Sequence, residues 1–192
     1  MKRESANLRT KTMLAASLKK LLHKKPLHKV SISELAAGCE LDRKTFYYHF
    51  SDINDLFVWL MHQEVYNLFR QIDFFDDPEG YFTKTMNWLD INGRVFASAF
   101  ESLGWEGMRR ILHPHFVNVI LAVIESAEER FKLNVSREFK NFLADFYTHA
   151  TEGTMVINAI KGEYKDNWPQ VLRYATKVYL AIPQILAAEV ER

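Results

Sequence analysis

A single cysteine, Cys39, rules out an internal disulfide and fits a reducing compartment. Glycine (seven residues) and proline (five) are scarce, and glycine is commonest where hairpin turns need positive φ, so an all-β fold is excluded. No apolar run approaches the roughly 20 residues of a membrane-spanning helix, so no membrane partner is expected. The first ten residues, Met1 to Thr10, hold no apolar run, so no secretory signal is read and a cytoplasmic location is expected. Gly-rich phosphate loops, G-x-S-x-G elbows, paired-carboxylate signatures and HExxH are all missing, so the chain is not expected to be an enzyme. His113-Pro114-His115 and the pair His149 and Glu152 are the histidine groupings that invite a metal reading. One lone cysteine builds no thiolate site, and isolated helical histidines are usually surface or core residues, so neither metal nor cofactor is expected.

What is present is ordinary globular composition, 48% apolar and 26% charged, with an uneven distribution of charge. Residues 1–50 carry eleven Lys and Arg against four Asp and Glu, a net of +7, while the remainder carries fourteen against twenty, a net of −6. A basic end on an acidic body is the footprint of a protein that presents that end to a polyanion; a solvated lysine-rich helix gives the same count.

The apolar periodicity is helical throughout, and the fold class is all-α. Leu14, Leu18, Leu21 and Leu22 mark an amphipathic helix from about Leu8 to Lys24, stopped at Lys25-Pro26. Ser31-Ile32-Ser33-Glu34 is a capping box opening a short helix with Leu35, Ala36 and Cys39 on its buried side. Asp42 stands at the next N-cap, followed by Arg43-Lys44-Thr45-Phe46-Tyr47-Tyr48-His49-Phe50. Ser51-Asp52 caps a longer helix to about Arg70, and Asp76-Asp77-Pro78-Glu79 starts another. Further breaks are expected near Asn92-Gly93, Ser102-Leu103-Gly104, His113-Pro114, Lys132-Leu133-Asn134 and Gly162 to Pro169. The last two helices are expected over about Ser136–Lys161 and Trp168–Glu191, with Met155, Ile157 and Leu172 on apolar faces and a kink or end at Pro183.

Two short helices joined by a tight turn, behind a longer helix, describe a three-helix DNA-binding unit whose second short helix enters the major groove. Arg43 and Lys44 suit guanine edges or phosphates, and Thr45 suits a thymine methyl. Tyr47, Tyr48 and His49 offer donors to phosphates, as Ser31 and Ser33 do from the first short helix, while Phe46 and Phe50 anchor the helix inward. The run from Leu35-Ala36 through Leu41-Asp42-Arg43-Lys44-Thr45-Phe46-Tyr47-Tyr48-His49-Phe50 resembles the TetR family signature, and Asp52-Ile53-Asn54-Asp55-Leu56 resembles the opening of that family's fourth helix. Lys25-Pro26-Leu27-His28-Lys29-Val30-Ser31 with the later aromatic motif is similar to a branch typified by dihydroxyacetone-kinase operon regulators. Two positions depart from the family pattern. Glu40 occupies the turn position that usually carries Gly, and Ile53 replaces a phosphate-gripping Lys, for which Lys29 and Arg43 are the candidate substitutes.

The resemblance implies a helix-turn-helix domain over 1–51 and a helical effector-binding and dimerisation domain over 52–192. It also implies a homodimer on a palindromic double-stranded operator, acting as a repressor released by a small-molecule effector. The alternative is a co-activator or regulator switched by a protein partner, since the branch includes members of that kind. Candidate effector-binding residues in the body are Trp88, Phe100, Trp105, Phe116, Phe146 and Tyr147, with Arg94, Glu101, His149 and Glu152 as candidate polar groups.

Overall fold

The computed structural model describes residues 2–69, 74–161 and 164–190. The helices are α1 (Lys2–Leu22), α2 (Ile32–Ala37), α3 (Arg43–His49), α4 (Ile53–Phe69), α5 (Pro78–Phe131), α6 (Arg137–Lys161), α7 (Tyr164–Leu180) and α8 (Ile182–Val190), with a 3-10 turn at Leu27–Lys29. No strand occurs among the described residues. Arg70, Gly162 and Glu191 lie outside the described residues, as do the side chains of Met155, Ile157 and Leu172.

The chain forms two compact units, one made of Met1–Val65 and Asn92–Ile111, the other of Tyr66–Ile91 and Leu112–Arg192. The first unit is built on Leu14, Leu18 and Leu22 of α1, Leu35 of α2, Phe46 of α3 and Leu56 and Phe57 of α4, all fully buried. Burying one such side chain is worth about 1.5–3 kcal/mol, so this cluster holds two short helices, α2 and α3, that are too small to be stable alone. Ser17 Oγ donates to the Leu35 carbonyl at 3.1 Å. Beside it α2 ends at Gly38, where a Cβ would come within 2.5 Å of Ser17 Oγ. The 92–111 stretch of α5 joins this unit through buried Val95, Ala99 and Met108.

The second unit closes over Phe74, Ile120, Val123, Ile124, Ala127, Leu143, Tyr147, Ile182 and Leu186. Glu128 links its elements, accepting from the Val135 amide at 2.9 Å and from Lys140 Nζ at 2.6 Å. Those two contacts hold its carboxyl below the usual range.

Several expected breaks are not breaks. α5 runs through Asn92-Gly93, where Asn92 is buried, and through His113-Pro114, where buried Leu112 and Phe116 flank the exposed proline and offset the hydrogen bond it removes. The break at Gly104 is real: its φ of 65° and ψ of −177° interrupt the helical path in a region that only glycine adopts readily. The helix ends at Lys132, left-handed at φ 53°, where the Leu133 amide reaches back to the Glu128 carbonyl. The final helix divides after Leu180, and Pro183 lies in the first turn of α8, where its missing N–H removes no bond.

Candidate functional site

The helix-turn-helix is built by its caps. Ser31 Oγ accepts from the Glu34 amide at 3.3 Å, and Glu34 Oε2 accepts from the Ser31 amide at 3.1 Å, completing the capping box. Lys25 Nζ adds an ion pair to Glu34 at 2.7 Å, so that lysine is committed to the fold. Together the Lys25 and Ser31 contacts hold the Glu34 carboxyl down to about 2. Asp42 Oδ1 accepts from the Thr45 amide at 2.6 Å and starts α3, which also holds the Asp42 carboxyl below its ordinary range.

The turn between them is a Schellman closure: the Leu41 amide bonds to the Ala36 carbonyl at 2.9 Å and the Glu40 amide to the Ala37 carbonyl at 3.2 Å. This geometry needs a left-handed residue at position 40, and Glu40 takes it at φ 57°. The departure from glycine seen in the sequence is therefore absorbed as backbone strain of roughly 1–2 kcal/mol, with the turn geometry retained.

From this frame α3 presents its outer face. Arg43 and Lys44 are exposed, and neither forms an ion pair with a described residue. Tyr47 is exposed and Tyr48 is 72% exposed, while Thr45 is half-buried. Phe46 and Phe50 turn inward, and Phe50 meets Trp59 edge-on at 6.0 Å. Lys11 Nζ lies 5.4 Å from the Phe50 ring centre, beside this same face.

Two expected DNA-facing groups are more committed than the sequence suggests. The Ser31 hydroxyl is spent in the capping box, while Ser33 remains exposed. His49 is half-buried with Nδ1 sealed from solvent and without a hydrogen-bond partner among the described residues, and burial together with the Lys11 charge lowers its pKa. Its ring edge meets Tyr48 at 5.0 Å, so it supports that tyrosine.

The second unit contains a partly open apolar cavity of about 210 Å³, walled by Phe74, Phe82, Phe116, Ile120, Val123 and Tyr179 among others. Of the six residues read from the sequence as effector contacts, Phe116 and Tyr147 line it. Trp88, Phe100, Trp105 and Phe146 do not, nor do Arg94, Glu101, His149 or Glu152. Phe100 and Trp105 belong to the first unit, and Phe146 stands 60% exposed on the outer face of α6. Residues the sequence reading passed over, Phe74, Phe82, Thr151 and Tyr179, form the wall instead, because which face of a helix turns inward depends on its neighbours.

Two of the cavity's hydroxyls form a directed chain. Thr151 Oγ1 donates to the Tyr147 carbonyl at 2.7 Å, so its single proton is used, and the Tyr179 hydroxyl must donate to Thr151 Oγ1. Burial raises the pKa of both Tyr81 and Tyr179, keeping these cavity-lining groups neutral. The Tyr179 oxygen is left as an acceptor at the cavity wall.

A family model described as bacterial regulatory proteins, tetR family, matches residues 14–59, and one described as a transcriptional regulator C-terminal region matches residues 76–174. Among solved structures the chain is similar to the dihydroxyacetone kinase operon activator DhaS, with a TM-score of 0.65 at 19% identity over 95% of this chain and 96% of that one. It is also similar to the reduced form of E. coli NemR, with a TM-score of 0.57 at 18% identity over 90% of this chain and 97% of that one. No curated protein sequence matches the chain. Among the described residues no helix is long and apolar enough to cross a membrane. With a capped helix-turn-helix near its head and the two family models covering both halves, the chain belongs to the TetR family of transcription regulators, with a DNA-binding N-terminal domain.

Proposed function

We propose that the protein is a repressor that binds a palindromic operator as a homodimer and leaves it when a small molecule fills the cavity of the second unit. The observation that carries this reading is the presence in one chain of an open Arg43–Lys44–Tyr48 face and an apolar cavity.

Support for the dimer comes from an unpartnered apolar stripe. Phe142 and Phe146 on α6 are each 60% exposed, with Phe139, Phe142 and Phe146 stacked along the helix. Tyr174 and Val178 on α7 are likewise exposed. Rings of this size left in water mark an interface, and a second copy supplies a self-complementary surface together with the two-fold symmetry of a palindrome.

The cavity is somewhat larger than the roughly 150 Å³ that accommodates a benzene, and the hydroxyls of Tyr147, Thr154 and Tyr179 that line it donate within the protein and keep lone pairs to accept with. The effector is therefore a compact, largely apolar molecule carrying a hydrogen-bond donor. Covalent continuity supports the coupling, since α5 supplies Phe116, Val119, Ile120 and Val123 to the cavity and its 92–111 stretch to the DNA-binding unit. An effector acts only through its different affinity for the DNA-competent and incompetent states.

The test is displacement of operator DNA by small phenols against their donor-free analogues, paired with sedimentation of the free protein. Release by phenols and not by toluene, from a dimer that Phe146→Glu dissociates, is the expected result. A monomer, or DNA binding indifferent to every compact apolar compound, would contradict it. A second reading, a co-activator switched by a protein partner, draws on the structural likeness to an operon activator. Transcription from the bound promoter separates the two.

A further inference from the structure

One cluster of titratable side chains in the second unit lies outside both the cavity wall and the DNA-facing surface. His113 comes from α5, and Asp145, His149 and Glu152 come from α6, where spacings of four and three residues bring them to one side of the helix. One ligating atom from each of His113, Asp145 and His149 lies within 4.8 Å of the other two. The two imidazole rings are 5.0 Å apart.

The partners fix where the protons sit. Glu152 is 2% exposed, and its Oε2 lies 3.2 Å from His113 Nδ1. A carboxylate only accepts, so Nδ1 donates, and Nε2 of a neutral ring keeps its lone pair. That nitrogen faces Asp145 Oδ1 at 3.4 Å. Two acceptors held at that distance repel each other unless a proton or a metal ion lies between them. His149 Nδ1 is 2.9 Å from the Asp145 main-chain carbonyl and 3.6 Å from Asp145 Oδ1, and both oxygens only accept, so in the ion-free chain Nδ1 donates there and Nε2 carries the lone pair.

A second observation points to missing positive charge. Glu152 Oε1 and Thr148 Oγ1 are both buried and have no hydrogen-bond partner among the described residues. A buried carboxylate beside a neutral imidazole is costly, and an ion on the far side of that ring compensates it through the hydrogen bond. A carboxylate gripping the distal nitrogen of a metal-bound histidine is the arrangement that orients such ligands. The 3.4 Å separation of His113 Nε2 from Asp145 Oδ1 also matches the ligand-to-ligand edge of about 3.3 Å expected for a tetrahedral ion with bonds of roughly 2.0–2.1 Å.

We propose that His113, Asp145 and His149 bind a divalent transition ion, zinc by the chemistry of the donors, with Glu152 as the positioning carboxylate. Two imidazoles and one carboxylate leave a fourth position for water, and the imidazole nitrogens favour zinc over larger oxygen-seeking ions. The ion clasps α5 to α6.

The test uses metal-stripped full-length protein titrated with zinc chloride in a calorimeter, with cobalt(II) as the spectroscopic probe. One ion per chain, a cobalt spectrum of tetrahedral intensity and a higher Tm with zinc are expected. His149 is half exposed, so His149→Ala leaves the core intact and lowers zinc affinity at least 10-fold; Asp145→Asn does the same. Glu152→Gln weakens binding by about 10–100-fold, whereas His23→Ala leaves it unchanged. Absence of stoichiometric uptake, or uptake that survives both His149→Ala and Asp145→Asn, would overturn the proposal.

Discussion

Ser98 Oγ donates to the main-chain carbonyl of Leu22 at 2.6 Å, fastening α5 to the last turn of α1. One turn further on, Ser102 Oγ accepts from the His28 amide at 3.0 Å. Carbonyls at a helix C-terminus have no partner within the helix, so Ser98 satisfies a group that otherwise depends on water. These two serines attach the long helix to the DNA-binding elements by directed bonds as well as by apolar contact.

Replacing Ser98 with alanine should therefore cost about 0.5–1.5 kcal/mol of stability. Urea unfolding of the full chain measures it, and the loss should appear as a lower midpoint with an unchanged slope. A variant as stable as the parent would show that the bond exchanges freely with water.

Glu40→Gly should stabilise the helix-turn-helix by about 1 kcal/mol, because glycine takes the left-handed conformation without the Cβ clash. The gain is smaller than the strain relieved, since glycine also has more freedom to lose on folding. Thermal unfolding followed by circular dichroism reads the direction.

Acid should loosen the DNA-binding unit in two steps. His49 has a lowered pKa, so the unfolded chain takes up its proton first and stability falls as the pH drops below 6.5. Glu34 and Asp42 have lowered pKa values too; their contribution is complete above their ordinary values of 4.5 and 3.8 and is lost as the pH falls, for Glu34 toward about 2. Amide exchange across residues 31–50 should report both, and Glu34→Gln should remove part of the lower step only.

Gly104→Ala should destabilise the chain by about 1–3 kcal/mol or straighten α5, although nothing lies within 4 Å of the added methyl. Backbone conformation alone is the penalty. Comparing unfolding of Gly104→Ala with that of Ser98→Ala separates strain from a lost bond.

Much of the first unit was legible in the chain because its signals are local. The Ser31 to Glu34 box, the Asp42 cap and the Phe46 and Phe50 spacing each lie within a single turn, and the structure closes each as the residues suggest. The cavity was not legible. Phe146 and Tyr147 are neighbours in sequence, yet Tyr147 lines the cavity while Phe146 faces outward, a distinction set by what α6 meets. The cluster around His113 joins residues more than thirty positions apart, so no spacing rule could gather it. Asn92-Gly93 looked like a break because its local propensity is poor, and burial of Asn92 inside the unit overrides that propensity.

The most direct measurement is binding of the purified protein to its own upstream DNA across a salt series, for the parent, Arg43→Ala and Lys44→Ala. The expected result is selective binding whose logarithm falls linearly with log salt, with each substitution weakening affinity and loss of a phosphate contact reducing the slope by about one. Unchanged affinity and slope in both variants would show that α3 does not read the operator, and would contradict the account.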